Sequence, residues 1–552
     1  MRQETGFKKS WLFTLAFVVF FFNPGGSAEA EKIEETPEAV ESGRKVYEKW
    51  CINCHGEKGD GKGAAKPFLF PPPRDFTMGL YKIKSTPRKE LPLEEDLFKS
   101  ITQGMPGTSM PGWENLSEEE RWSLVHYIKT FSERFGNAKK EGKYLPAPIQ
   151  VGNPIPSSPE SIKLGEDIFS ELECDICHGS EGRGDGFKAL KLKTKWGGRV
   201  LPRNLTRKWL FRRGSLPQDI YRTIRIGVEG TPMPSFAREL DEPQDEGDED
   251  DEDEEDEDDE DDEEVMDDRK GDNAPAPKEP KMGGEERTWH LVNYVLSLSQ
   301  EKKPELKPVY KVKQIDEAIP NGPLDKQWDA VAQNEYPLVG QIIIEPRLFT
   351  PRIDFVQLKG LYNKEEIAFL LTWHDPSEKT LPNPAKGFSS DAIALQFPRE
   401  IPVGRKLPYF IYGDTENSVY LLSWGADKNA ITEMNATGIN SVATQGAEAQ
   451  DATGAISFKD GEYRLLIKRS LTTDDPKDLQ FKPGKFIPVA FSAWEGSNGE
   501  TETKRSLSVW YNIILEAPIP KGIYYYPFLA IFGVVAVEAF IIRRLRKQKG
   551  KS

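Results

Sequence analysis

Cys51-Ile52-Asn53-Cys54-His55 and Cys174-Asp175-Ile176-Cys177-His178 hold all four cysteines of this 552-residue chain. In C-x-x-C-H the two thiols can add across the vinyl groups of a haem while the adjacent histidine ligates its iron. C-x-x-C in other settings is a redox pair or half of a zinc site. The residues downstream of each motif argue for haem. From His55 to Met110 is 55 residues, and from His178 to Met233 is again 55. Both methionines stand in the pattern Gly-x-x-Met-Pro, as Gly107-Thr108-Ser109-Met110-Pro111 and Gly230-Thr231-Pro232-Met233-Pro234. Between motif and methionine, Pro73-Arg74-Asp75-Phe76-Thr77 matches Pro202-Arg203-Asn204-Leu205-Thr206 in pattern, 18 residues after the histidine in the first copy and 24 in the second.

This doubled pattern resembles class I cytochrome c twice over. The resemblance implies two all-α domains, at 31–136 and 159–303, joined by a linker at 137–158. Each would carry a covalent haem c, on Cys51 and Cys54 and on Cys174 and Cys177. It implies His55 and His178 as proximal iron ligands, with Met110 and Met233 as the distal ones. Met105, five residues before Met110, competes for that last position. The repeat runs on into a helical stripe, where Glu120-Arg121-Trp122, Leu124, Val125, Tyr127 and Ile128 match Glu286-Arg287, Trp289, Leu291, Val292, Tyr294 and Val295. In the family such a helix packs across the one that leads into C-x-x-C-H, here 38–50 and 159–172.

Methionine to tryptophan is 12 residues in the first copy and 56 in the second, so the second copy carries an insertion of 44 residues. It falls at about 239–285. Residues 241–268 include 23 acids and no base; the chain's formal charge is −16, so the remainder sums to +7. Such a segment repels itself and has little to bury, which predicts an extended acidic loop. It can be a simple solvated loop, steer a basic redox partner, or fold back on the basic run 188–213. The acidic balance argues against a nucleic-acid partner.

The chain ends suggest a compartment. Arg2, Lys8 and Lys9 precede the apolar run 11–22 and the small-residue close Ala28-Glu29-Ala30, which reads as a secretory signal peptide at 1–30. Residues 523–542 are almost all apolar, entered through Tyr524-Tyr525-Tyr526 and left through Arg543-Arg544-Leu545-Arg546-Lys547. That predicts one transmembrane helix with a basic cytoplasmic tail at 543–552. The expected location is a bacterial inner membrane, single-pass, with the main body in the periplasm.

Between 306 and 518 the period changes to two. Segments such as Asp391-Ala392-Ile393-Ala394-Leu395-Gln396-Phe397 and Ser418-Val419-Tyr420-Leu421-Leu422-Ser423-Trp424 read as strands, which predicts an antiparallel β-sandwich of about nine strands. Together with Pro408-Tyr409-Phe410-Ile411-Tyr412-Gly413-Asp414, Ala490-Phe491-Ser492-Ala493-Trp494-Glu495-Gly496 and Arg505-Ser506-Leu507-Ser508-Val509-Trp510, they resemble the ethylbenzene-dehydrogenase-type haem-b domain. That domain forms the γ subunit of molybdenum enzymes of the dimethyl-sulfoxide-reductase superfamily, nitrite oxidoreductase among them. The family holds haem b with a methionine and a lysine. Here the methionine slot is Tyr412 and the lysine slot is Arg505, with Lys504 one residue earlier. Arginine stays protonated and ligates iron poorly. Tyr412 and Lys504 are therefore the candidate haem-b residues, although a one-residue slip on a strand turns the side chain to the other face. A sandwich that has lost haem b and kept its docking surface is the alternative.

The resemblances together imply an electron-transfer subunit rather than an enzyme. Its partners would be the molybdenum and iron–sulfur subunits of an oxidoreductase on one side and a soluble cytochrome or terminal oxidase on the other. The alternative reading joins the cytochromes to a ligand-binding sandwich that serves an unrelated chain. His126 and His290 are not shared between the copies, and His374 reads as a turn residue.

Overall fold

The computed structural model describes residues 32–141, 147–189, 191–195, 198–242, 282–300, 303–404, 406–517 and 522–549. The signal-peptide reading at 1–30 and the acidic run from 243 onward lie outside the described residues.

A first helical unit contains α1 (Pro37–Trp50), α2 (Ile52–His55), α3 (Glu94–Gln103), α4 (Glu118–Lys129) and α5 (Glu133–Lys140). A second contains α6 (Pro159–Glu171), α7 (Asp175–His178), α8 (Pro217–Ile226), α9 (Ala237–Asp241) and α10 (Gly284–Leu298). α1 and α6 begin alike. Thr36 and Ser158 cap them through hydroxyls that accept from Ala39 N and Ser161 N, each followed by proline at the first helical position.

The predicted crossing of the helix that leads into C-x-x-C-H by the helix that carries the tryptophan stripe is present in both units. α1 meets α4 at Gly43, where an added methyl group would overlap the Ser123 carbonyl and the Tyr127 side chain. α6 meets α10 at Gly165, against the His290 carbonyl and Tyr294. The stripe residues Trp122, Leu124, Val125 and Ile128, like Trp289, Leu291, Val292 and Val295, are buried. Each such apolar side chain contributes roughly 1.5–3 kcal/mol on burial.

Among the described residues the β domain has fourteen strands in one hydrogen-bonded network, more than the nine expected. Its ladders are antiparallel except at Val309–Gln314, which runs parallel both to Tyr511–Leu515 and to Phe355–Tyr362. That strand escapes the sequence pattern because it is short and charged on alternate positions, with Tyr310 and Val312 inward and Lys311 and Lys313 outward. The network folds over on itself. Phe369, Leu371, Trp373 and Ile467 from one half share a core with Leu395, Phe397, Trp424 and Phe491 from the other.

The two helical units pack on each other and on the sandwich. Lys99 Nζ lies 2.8 Å from Asp219, Lys89 N donates to Glu229 at 2.8 Å, and Arg213 donates to the Lys84 carbonyl. Arg207 pairs with Glu335 at 2.7 Å and lies 3.5 Å over the Phe355 ring. Arg183 donates to the Asp460 carbonyl and Arg199 to Asn498. The first unit adds a lighter contact, with Arg347 4.9 Å over the Phe68 ring.

α11 (Gly522–Lys549) stands apart from this body. Within it Tyr524–Arg546 is an apolar span of 23 residues with a mean hydropathy of 2.0, none of it buried. At 1.5 Å per residue it reaches about 35 Å, enough for a bilayer core of about 30 Å.

Candidate haem sites

Each C-x-x-C-H lies where a long helix ends and a single helical turn begins. His55 Nδ1 donates to the Arg74 carbonyl at 3.1 Å, and His178 Nδ1 donates to the Arg203 carbonyl at 2.9 Å. A carbonyl only accepts, so Nδ1 carries the proton and Nε2 keeps its lone pair for a metal. Burial lowers both histidine pKa values and favours that neutral ring. Burial pushes the Cys51 and Cys174 thiols up to about 12. The loops behind the histidines match bond for bond: Phe76 N donates to Gly59 O at 2.7 Å, and Leu205 N to Gly182 O at 2.6 Å. Phe76 also stacks on His55 at 4.4 Å.

The methionine loops are equally alike. α3 and α8 stop at Gly104 and Gly227, with φ of 69° and 72°. Met105 N then donates to Met110 O at 3.0 Å, and Val228 N donates to Met233 O at 3.1 Å. Thr108 Oγ1 donates to Met105 O and accepts from Met110 N, as Thr231 Oγ1 does with Val228 O and Met233 N. Met105 therefore occupies the position of Val228, which cannot ligate. The methionine position that the two loops share is Met110 and Met233. The signal was in the sequence, in Gly104-x-x-Gly107 against Gly227-x-x-Gly230.

Met110 and Met105 line a largely apolar cavity of about 200 Å³, shared with Cys51, Cys54, His55 and Trp113. Arg212 and Val228 of the second unit complete its wall. Arg212 belongs to a set of half-buried cations between the units. Burial, with Arg203 beside it, draws the Arg212 guanidinium down to about 9; burial, with Arg74 and Arg212, draws the Lys82 ammonium down to about 8. Arg212 Nε is buried without a hydrogen-bond partner. Cations crowded this way call for buried anions, and a haem brings two propionates. The residues present fit haem c: two cysteines, a neutral histidine, a methionine, an apolar slot and a cationic rim. That Arg212 reaches the other unit's cavity is the feature sequence reasoning missed, because nothing local marks it.

In the sandwich, Tyr412 and Arg505 are brought together from 93 positions apart, the guanidinium carbon 3.8 Å over the phenol ring. Arg505 is 1 % exposed and also faces Trp494 at 5.3 Å. Tyr412 has a left-handed φ of 63°. Lys504 does not join them. Its ammonium donates to the Asn498 and Gly499 carbonyls at 3.1 and 3.0 Å, so the one-residue slip does turn it elsewhere. The pair that meets is a capped tyrosine and a guanidinium, which does not fit a haem-b iron.

The remaining histidines have structural partners. His126 Nε2 bonds the Ile33 carbonyl at 3.1 Å, and His290 Nδ1 bonds Ser161 Oγ at 2.8 Å. His374 ends the strand Glu366–His374, edge-on to Phe355, with burial and the charge of Arg183 holding its pKa at about 4.

Residues 38–128 match the family model for cytochrome c oxidase, cbb3-type, subunit III, and residues 430–506 match that for ethylbenzene dehydrogenase. The second match implies haem b, against the side chains found at Tyr412 and Arg505. A Haloferax mediterranei protein, named by inference as a respiratory nitrate reductase heme subunit, is 26 % identical over 235 residues, 42 % of this chain and 82 % of its own length. A chain of the Kuenenia stuttgartiensis reducing HAO-like protein complex is 34 % identical, over 49 % of this chain and all of that one, with a TM-score of 0.38. A family 9 carbohydrate binding module from Caldicellulosiruptor kristjanssonii, in complex with glucose, is 13 % identical over 39 % of this chain and 98 % of its own, with a TM-score of 0.25. The chain thus joins a cytochrome c domain of the cbb3-type subunit III family to an ethylbenzene dehydrogenase-type domain, the make-up of an electron-transfer subunit of an oxidoreductase.

Proposed function

We propose that this chain is the membrane-anchored electron-transfer subunit of a molybdenum oxidoreductase of the nitrite-oxidoreductase kind, with two haems c and both helical units built as class I cytochromes. His55 and Met110 would hold one iron and His178 and Met233 the other, with Cys51, Cys54, Cys174 and Cys177 as the covalent attachments. Haem c bound this way supplies one-electron transfer at relatively high potential. The chain's own residues fix the imidazole tautomers through the Arg74 and Arg203 carbonyls, exclude water with apolar walls and gather cations where the two units meet.

The observation that carries this reading is the bond-for-bond repetition of the histidine and methionine loops in two units that share a cavity wall. Electrons would enter from a molybdenum and iron–sulfur partner docked on the sandwich and leave to a soluble cytochrome or terminal oxidase. α11 would tether the body on the periplasmic side, its basic end in the cytoplasm. The homologue named as a nitrate reductase heme subunit supports the partner class. The residues at Tyr412 and Arg505 support a sandwich that works as a docking platform.

The test is a pyridine haemochrome spectrum with haem counted per chain on detergent-solubilised protein, alongside co-purification with a molybdenum subunit. Two haems c, no haem b and a molybdenum partner are expected. Fewer than two haems c would sink the proposal. Two haems c without a molybdenum partner would favour a ligand-binding sandwich.

A further inference from the structure

Asp375, Asp391 and Glu495 are 1 %, 0 % and 0 % exposed, and one carboxylate oxygen from each lies within 4.8 Å of the other two. They come from three separate strand ends: after Glu366–His374, before Ala392–Pro398 and after Phe486–Trp494. Backbone donors aim them. Ser377 N bonds Asp375 Oδ1 at 3.1 Å, Gly496 N and Thr380 N bond Asp391 at 2.8 and 2.7 Å, and Ser497 N bonds Glu495 Oε1 at 3.0 Å. Two oxygens are left over. Asp375 Oδ2 and Glu495 Oε2 are buried and accept no hydrogen bond. Among the described residues no lysine or arginine forms an ion pair with any of the three; Arg352 acts on Asp375 only through its field. Three like charges cannot be buried this close without compensation.

We propose that these three carboxylates form a divalent-cation site and that its ion is calcium. The donors are all oxygen, which disfavours soft transition metals. Magnesium needs near-octahedral geometry and keeps its waters, whereas calcium accepts six to eight oxygens in a flexible, all-protein cage. Glu500, whose Oε2 accepts from Glu495 N at 3.2 Å, braces the third carboxylate from behind.

The position gives the ion a task. Asp375 N bonds the Gly461 carbonyl at 3.0 Å, and the adjacent Asp460 carbonyl receives Arg183 of the second helical unit. Asn498, three residues beyond Glu495, receives Arg199 of the same unit. Calcium at this point ties together the loop ends on which the second C-x-x-C-H unit is seated.

The experiment is metal analysis and thermal unfolding of the full detergent-solubilised chain, after exhaustive chelation and after calcium is restored in excess magnesium. Asp391→Asn and Glu495→Gln chains are treated in parallel. The acidic run is present in all three, so calcium held there cancels in the comparison. The expected result is one more calcium per wild-type chain than per variant. Chelation should lower the wild-type unfolding temperature by several degrees, leave both variants unmoved and leave haem content unchanged. If neither variant folds, wild-type calcium that survives excess magnesium still supports the site. Equal calcium in all three chains, magnesium-exchangeable calcium alone, or a wild-type transition indifferent to chelation overturns it.

Discussion

The two helical units are one design in two settings. Histidine, carbonyl, glycine and methionine loops coincide, yet the first unit lies mainly against its twin while the second is clasped by the sandwich. The first has Phe76 stacked on its histidine and a spare Met105; the second has Leu205 and Val228 at those positions. The second also carries the acidic insert between its methionine loop and its last helix. What stays constant is the set of contacts that fixes the histidine ring and the methionine loop. What varies is everything that decides a neighbour.

The largest effect should come from removing one distal methionine. Met110→Ala and Met233→Ala should each abolish about half of the methionine–iron charge-transfer absorption of the oxidised protein, one haem at a time. Met105→Val makes the first loop resemble the second and should leave that absorption intact. If Met105→Val removes the band and Met110→Ala does not, the equivalence of Met110 with Met233 is wrong.

The helix crossings come next. Gly43→Val and Gly165→Val insert side chains where backbone carbonyls already touch the glycine, and overpacking of that kind costs about 1–3 kcal/mol. Both should lower the unfolding midpoint of their own unit, read by loss of about half of the methionine–iron charge-transfer absorption. A similar loss from Gly136→Val, at a site with open space, would show that the crossing is not the cause.

The seams distinguish the units by pH. His374 lies beside Arg183 and Arg207 of the second unit and has a folded pKa near 4, below the ordinary 6.5. The unfolded chain therefore binds the extra proton first. Stability at this seam should be fully present above pH 6.5 and fall as the pH drops toward 4, at no more than about 1.4 kcal/mol per pH unit. His374→Asn should flatten that slope. An unchanged slope would locate the acid sensitivity elsewhere.

Most of the cytochrome-like part was legible because covalent chemistry fixes spacing: the cysteines, histidines, methionines and stripe tryptophans stand where a repeated scaffold needs them. The sandwich was legible as alternation in its buried strands, but Val309–Gln314 was not, since its two lysines dilute the pattern and its parallel partners are far away in sequence. Arg212 at the other unit's cavity, the Arg505–Tyr412 stack and the Asp375–Asp391–Glu495 cluster are contacts between distant segments. No local periodicity records them.

The smallest effect concerns the one residue by which the two copies differ between the helix crossing and the first cysteine. From the crossing glycine to the first cysteine is eight residues in the first unit and nine in the second. The extra residue is absorbed at Glu173, which comes after α6 with a left-handed φ of 51°. A side chain there bears the strain that glycine avoids, although glycine also frees the unfolded chain. Glu173→Gly should therefore raise the second unit's stability by no more than about 1 kcal/mol and leave its spectrum alone. Deleting Glu173 is the sharper form of the test. It restores the first unit's spacing, so a deletion chain that still loads two haems would mean the units tolerate either register, whereas one that loads only the first would mean that the turn at Glu173 is what brings Cys174 and His178 into line.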